Sequence, residues 1–376
     1  MRTFGVEEEL LLVDEVSGHL APVAAQVIEA DRSVGRAGVG QLTGEMQQEM
    51  LEVVTRPHVD AMALGAEVRA GREAADRAAR SVGARVAALA TSPVEARPHA
   101  TPSPRYLEIM ERFGALARRS LACGLHVHVG IDGPEEGVAV LDRIRTWLPV
   151  LVALSANSPF CDGEDTGYAS WRTIAWHQWP VAGPNPVFGS VAAYREHERR
   201  LLASEVVLDA GMLYFAARLC RAHPTVEVRV ADVPLDAMHT AAIAALVRAL
   251  VDRAAEDWRA GVPAPEDPEA LLRLAGWQAA LRGVHGPLVD PATGRLDAGT
   301  RVLARLLDHV APALERNGDD DLVRAAIGSI LEDGTGADVQ RAAGPEPVDV
   351  VRAAVRRTHR PPFAADGPQR RWQEAS

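Results

Sequence analysis

The sequence predicts an α+β fold, an antiparallel sheet with helices packed on one face, and three observations lead there. Short runs with a two-residue alternation are separated by long alanine- and arginine-rich segments of helical spacing. The alternating runs lie far apart in the chain, so helices must intervene between strands. Each run also divides into an apolar and a polar face, whereas strands of a buried parallel sheet read as continuous apolar stretches.

In chain order, the spacing predicts strands at Thr3 to Val13, Gln48 to Thr55, Gly124 to Ile131 and Thr225 to Val230. It predicts helices over Ala61 to Ala90, Tyr106 to Arg119, Pro134 to Ser155, Ala237 to Ala260 and Thr300 to Arg316, with Pro and Gly at their edges. Asn157 to Ser190, rich in Pro, Gly and Trp, is too long for a plain connector and reads as an ordered functional loop. Gly35, Gly38 and Gly40 read as a turn, because no convincing helix follows them as a phosphate loop requires. Residues 1–345 are expected to form one domain carrying the chemistry, and 346–376 a short C-terminal helix and tail. A chain of 376 residues with 47% hydrophobic content can bury a full core without disulfides.

Composition removes several function classes. All 40 basic residues are arginine, so the lysine of a Walker A loop, of a protein kinase or of a Schiff-base enzyme is missing. A net charge of -11 argues against a nucleic-acid partner, whose phosphates demand clustered positive charge. The start, with Glu7, Glu8 and Glu9, is unlike a signal peptide, and the most apolar helix-like run is interrupted by Arg248, so no membrane partner is expected. Three cysteines without a CxxC pair fit a reducing cytoplasm.

Splitting the strands by side isolates the chemistry. Leu125, Val127, Val129 and Ile131 oppose His126 and His128; Val226, Val228 and Val230 oppose Thr225, Glu227 and Arg229. Val6 and Leu10 oppose Glu7 and Glu9, while Leu51 and Val53 oppose Glu52. For one strand alone, the polar side is most simply a solvated face. Four strands together offer almost only carboxylates and imidazoles, and carboxylates two apart on a strand stand roughly 6.5 Å apart, within reach of neighbouring cations. Like charges at about 4 Å cost a few kcal/mol at a moderate dielectric, so a positive group must compensate. Mostly oxygen donors point to Mg²⁺ or Mn²⁺ rather than zinc, with Arg229 and Arg172 as fixed positive charges toward an anionic ligand.

Five ordered blocks carry a resemblance. They are Gly5-Val6-Glu7-Glu8-Glu9-Leu10, Gly44-Glu45 through Met50-Leu51-Glu52-Val53-Val54-Thr55, Gly124-Leu125-His126-Val127-His128-Val129-Gly130, Ala153 to Phe160 with Asp165 to Tyr168 and Ser170-Trp171-Arg172, and Thr225-Val226-Glu227-Val228-Arg229. Together they resemble the glutamate-cysteine ligase superfamily, most closely its bacterial type-2 carboxylate-amine ligases. The likeness runs from about Thr3 to Asp236, and more weakly from Trp277 to about Gly318.

The resemblance implies a glutamine-synthetase-like antiparallel funnel that holds metals and ATP. It implies an ATP-dependent ligase joining a carboxylate, such as that of glutamate, to the amine of cysteine or another small molecule through an acyl-phosphate. Carried over by position, Glu7, Glu45, Glu52, His126 and Glu227 would hold Mg²⁺ (or Mn²⁺). Glu9 would be a further metal or nucleotide-site carboxylate, with His128 beside the nucleotide; Arg229 would contact the phosphates and Arg172 the substrate carboxylate. The glutamate-cysteine ligases proper often carry a different polar residue at the position of His128, which separates cysteine specificity from the rest of the resemblance. A homodimer is left open.

Two other classes compete. A metal-dependent hydrolase of an amide or phosphoester would use the same donors on a metal-bound water, and a non-catalytic nucleotide or metabolite binder would keep them without turnover. Lesser signals read as structure: Cys123 as a buried small hydrophobe, Trp171, Trp176 and Trp179 as anchors of the loop, and His177, His197 and His239 as surface or structural groups.

Overall fold

The computed structural model describes residues 1–34 and 40–360. Its strands are β1 (Phe4–Asp14), β2 (Gln41–Gly44), β3 (Met50–Val54), β4 (Ala84–Ala87) and β5 (Gly124–Gly130), then β6 (Phe160–Cys161) and β7 (Glu164–Asp165), β8 (Ala217–Leu219), β9 (Thr225–Asp232), β10 (Pro287–Val289) and β11 (Leu296–Ala298). Seven of them form one antiparallel sheet in the order β2-β3-β1-β5-β9-β8, with β4 pairing the far half of β1. The four strands expected from alternation are its centre, and the antiparallel α+β class holds.

One face of the sheet is covered by helices. Val6, Leu125, Val127, Val129, Val226 and Val228 pack in one core with residues of the helices Ala61–Arg80, Pro134–Ile144 and Ala237–Arg259. Asp60 and Asp236 cap two of these helices, their carboxylates accepting the Ala63 and Met238 N–H groups. Arg248, which interrupts the apolar helix Ala237–Arg259, is fully buried; it pairs with Asp319, donates to the Val59 carbonyl at 2.6 Å and lies over the Phe4 ring. Among the described residues no helix is long and apolar enough to cross a membrane.

Several boundaries differ from the expectation. The helix from Ala61 ends at Arg80 rather than reaching Ala90, because Gly83 turns the chain at φ +78° and Ala84–Ala87 joins the sheet as β4. Alanine fits either state, and strand pairing decides it. The segment to Arg119 breaks at Gly114, φ +58°, and that ending at Ser155 restarts at Leu148 with a proline in its first turn. Alternation gave no sign of the short strands β2 and β8, nor spacing of the helices Ala24–Val34, Val191–Ala203, Glu269–Arg282 and Asp320–Asp333. Gly35 and Gly38 lie outside the described residues; Gly40 runs so close to β3 that a Cβ would stand 1.7 Å from the Val54 carbonyl oxygen.

The loop Asn157 to Ser190 is ordered around a buried carboxylate. Asp232, at the end of β9, accepts from the Asn157 N–H at 2.8 Å, the Ser158 hydroxyl at 2.7 Å and the Ser170 hydroxyl at 2.9 Å. Ser170 also caps the helix Trp171–Trp176, so the network fixes where Arg172 emerges. At the end of the helix Pro347–Thr358 the Thr358 hydroxyl accepts the Ala88 N–H just past β4, and the next residue, His359, meets the Val86 carbonyl of β4.

Candidate active site

Register builds the site in rows across the sheet. Glu52 on β3 stands directly opposite Glu9 on β1, and Glu9 in turn accepts the Gly124 N–H of β5 at 2.5 Å. In the next row Glu7 faces His126. In the third, His128 faces Glu227 on β9, which faces Arg218 on β8. Glu45 follows the last residue of β2 and reaches the same side. Glu7, Glu9, Glu45, Glu52, His126 and Arg229 thus line one cavity of about 250 Å³, together with Tyr106, Tyr214 and Trp176. Glu227 and His128 sit at its edge, and a wider cleft of about 720 Å³ opens beyond Glu7 and His128.

Glu7 bridges both histidines, 3.1 Å from His126 Nδ1 and 3.2 Å from His128 Nε2. Burial alone would raise its carboxyl, but these two contacts outweigh it and hold it far below the usual range. Glu227 accepts from Arg218 Nε at 2.7 Å and from Arg229, which offset burial and hold it at about 2. Glu45 and Glu52 have no such partner. Burial, then repulsion from neighbouring carboxylates, pushes Glu45 up to about 7 and Glu52 well above its ordinary value. The cavity is therefore short of positive charge: of the three arginines that line it, Arg105 pairs with Asp209 and Arg218 and Arg229 with Glu227, which leaves the four converging carboxylates without an arginine of their own.

The donors fit divalent cations. His126 is held neutral chiefly by burial, aided by Arg229, and its buried Nε2 has no hydrogen-bond partner. It lies 3.9 Å from Glu9 Oε1, and His126, Glu9 and Glu52 each offer an atom within 4.8 Å of the other two. Glu7, His126 and Glu227 form a second such group. Mostly carboxylate oxygen with one imidazole is the donor set of Mg²⁺ or Mn²⁺.

Arg172 lies apart from the carboxylates. Its terminal nitrogens donate to the carbonyls of Arg229 and Val230 at 3.2 and 3.3 Å, and its guanidinium occupies the space over Gly124, where a Cβ would stand 2.1 Å from Nη2. It lines a separate, smaller cavity that shares Arg229 and Trp176 with the acidic one. Trp176 lies between the two guanidinium groups, 5.6 and 5.8 Å from its ring, while Trp179 and Tyr214 pack edge to face. Cys123 is fully buried, and His197 packs on Phe188 and Phe215.

Sequence reasoning missed Arg218, Arg105, Tyr106 and Tyr214. Arg218 stands on a three-residue strand, too short for alternation to show, and the others reach the cavity from the helix Pro104–Phe113 and the approach to β8.

The comparisons agree with this architecture. The glutamate-cysteine ligase family 2 model matches residues 3–345. A Paenarthrobacter aurescens protein provisionally named glutamate–cysteine ligase 2-1 is 49% identical over 371 residues, spanning 96% of this chain and 95% of its own. A Streptomyces coelicolor protein provisionally named glutamate–cysteine ligase 2 is 46% identical over 361 residues, spanning 95% and 99%. Among solved structures, the glutamate–cysteine ligase of Francisella tularensis in complex with AMP superposes with a TM-score of 0.67 at 15% identity, over 97% of this chain and 90% of that one. A bifunctional glutathione synthetase from Pasteurella multocida gives 0.68 at 15% identity, over 95% of this chain and 52% of its own. At that identity the superpositions speak for the fold, and the sequence matches for the lineage: the chain belongs to glutamate-cysteine ligase family 2, a family of ligase enzymes.

Proposed function

We propose that this protein uses ATP and Mg²⁺ (or Mn²⁺) to join a carboxylate, that of the glutamate side chain, to a small-molecule amine through an acyl-phosphate. The observation that carries the reading is the convergence of Glu7, Glu9, Glu45, Glu52, His126 and Arg229 in one lysine-free cavity whose carboxylates outnumber its cations. The ligase names of the relatives and the AMP in the Francisella structure favour a nucleotide cosubstrate. The match over residues 3–345 favours one catalytic domain, with 346–376 appended to it.

On this reading Glu7, Glu45, Glu52, His126 and Glu227 hold the metal ions. Bound there, divalent ions supply the charge that screens the nucleotide phosphates and the attacking carboxylate from each other. Glu9, tied by one oxygen to the Gly124 N–H, keeps the other toward His126, whose ring Glu7 holds at Nδ1. Arg229, anchored by Glu227, presents a permanent positive charge to the phosphoryl group in transit. The wider cleft past His128 has the volume of a small-molecule site and suits the larger cosubstrate. Arg172, braced on the carbonyls of β9, faces the neighbouring cavity and takes the substrate carboxylate there. Trp176, Tyr106 and Tyr214 wall the acidic cavity and exclude water, which would hydrolyse the acyl-phosphate. The three free thiols suit a reducing cytoplasm.

The test is ADP release with glutamate, Mg²⁺ and a panel of amines that includes cysteine. Amine-dependent ADP release with amide formation is expected. Product without nucleotide would establish the hydrolase instead, and silence across a broad panel would overturn the ligase.

A further inference from the structure

One group of ligand atoms differs in kind from the oxygen-rich cavity. On the last row of the sheet, β8 and β9 form a hairpin in which the Cys220 N–H donates to the Thr225 carbonyl at 2.9 Å. Cys220 lies two residues beyond Arg218, the partner of Glu227, and so its side chain falls on the same face as Glu227 and His128. His128 Nδ1 lies 3.1 Å from the Thr225 hydroxyl, which leans the imidazole toward the hairpin. One atom each of His128, Cys220 and Glu227 lies within 4.8 Å of the other two, and the imidazole is held in place by Glu7, 3.2 Å from its Nε2.

We propose that His128, Cys220 and Glu227 bind a thiophilic divalent cation of the zinc type, and that its binding competes for Glu227 with the ions of the acidic cavity. Sulfur, imidazole nitrogen and one carboxylate oxygen are the donors zinc prefers, whereas Mg²⁺ takes oxygen and leaves a thiol alone. A thiolate, a carboxylate and a neutral imidazole bring two negative charges, which match the cation; the thiol proton and the second proton of the imidazole leave to solvent on binding. Glu227 already accepts from Arg218 and Arg229, yet a carboxylate has about four lone-pair positions, so a further partner can be taken. Glu227 also belongs to the group with Glu7 and His126, so a cation held on the Cys220 side draws that carboxylate away from it. The ion enters from the wider cleft, which His128 and Thr225 line. The competition, unlike the site itself, rests on the ligase reading.

Cobalt reports the sulfur ligand directly. Co²⁺ titrated into the full chain is expected to give a thiolate-to-cobalt charge-transfer band at one equivalent. The band disappears in Cys220→Ser and persists in Cys161→Ser. His128→Asn, with an unchanged thermal midpoint, should bind Zn²⁺ about tenfold more weakly or worse. In the ADP-release assay, Zn²⁺ should inhibit the unaltered chain, while Cys220→Ser keeps its basal rate and resists. Absence of the band in the unaltered chain, or its survival in Cys220→Ser, overturns the site; equal zinc inhibition of both proteins overturns the competition. A cysteine-dependent band in a chain that never releases ADP upholds the site and removes the ligase reading.

Discussion

Glu8 and its neighbours Glu7 and Glu9 carry the same side chain on one strand, yet the two faces of the sheet treat them oppositely. On the helix side Glu8 is completely buried and fully satisfied. It receives Arg72 Nη2 at 2.6 Å, Arg72 Nε at 2.8 Å and the Thr240 hydroxyl at 2.6 Å, and Arg72 also donates to the carbonyls of Pro234 and Leu235. On the other side, Glu9 and Glu52 face each other with no arginine between them, and Glu45 adds a third carboxylate. The first arrangement is closed and asks for nothing. The second is an open charge deficit, stable only because part of it stays protonated or because a cation joins it. A buried acid is therefore evidence of function when its partners are missing, and of architecture when they are present.

The largest effect should come from breaking the closed side. Glu8→Ala leaves Arg72 buried without its partner and is expected to cost about 3–5 kcal/mol of stability, measured by denaturant unfolding. Mg²⁺ binding of whatever remains folded should be unchanged. A loss under about 1 kcal/mol, the scale of an exposed pair, would erase the contrast between the faces.

Substitution on the open side should do the reverse. Glu52→Gln and Glu227→Ala should lower ATP-dependent turnover by about a hundredfold or more, the scale of losing one preorganised electrostatic group. Their circular dichroism should remain that of the folded chain. Gross unfolding of Glu227→Ala would mean that this carboxylate belongs to the architecture through Arg218 and Arg229.

Metal should close the open side. At a hundred times its dissociation constant, Mg²⁺ is expected to stabilise the chain by about 2.7 kcal/mol, read as a higher unfolding midpoint. Glu52→Gln should lose most of that gain. An equal Mg²⁺ response in both proteins would place the ion elsewhere.

The smallest effect separates repulsion from architecture. In chelator, Glu52→Gln should be more stable than the parent by up to about 1 kcal/mol, because like charges directly opposite on a sheet are relieved. The pH dependence has a defined sign. Glu45 has a folded value of about 7, above its ordinary 4.5, so its protonated form favours the fold. That contribution is present below about pH 4.5 and is lost as pH rises toward about 7. Added Mg²⁺ should flatten the slope, and a slope indifferent to Mg²⁺ would assign the titration to other groups.

Local pattern made half of the site legible. The alternation in Gly124–Gly130 and Thr225–Asp232 puts His126, His128, Glu227 and Arg229 on one side whatever surrounds them, since a strand turns its side chains every second residue. Glu8 shows the limit of the rule: it shares a side with Val6 and Leu10 and is charged, and nothing nearby in the chain announces Arg72, sixty-four positions away.

Which residues share a face, and through the ordered blocks the family, could be read from the chain alone, because both are written in short-range spacing. It takes the folded sheet to set Glu9 opposite Glu52, to bring Glu45 to them from the end of β2, to fill the space over Gly124 with Arg172 and to join Arg218 to Glu227. Register between strands more than a hundred residues apart is set by packing and hydrogen bonding across the sheet, and no local run of residues encodes it.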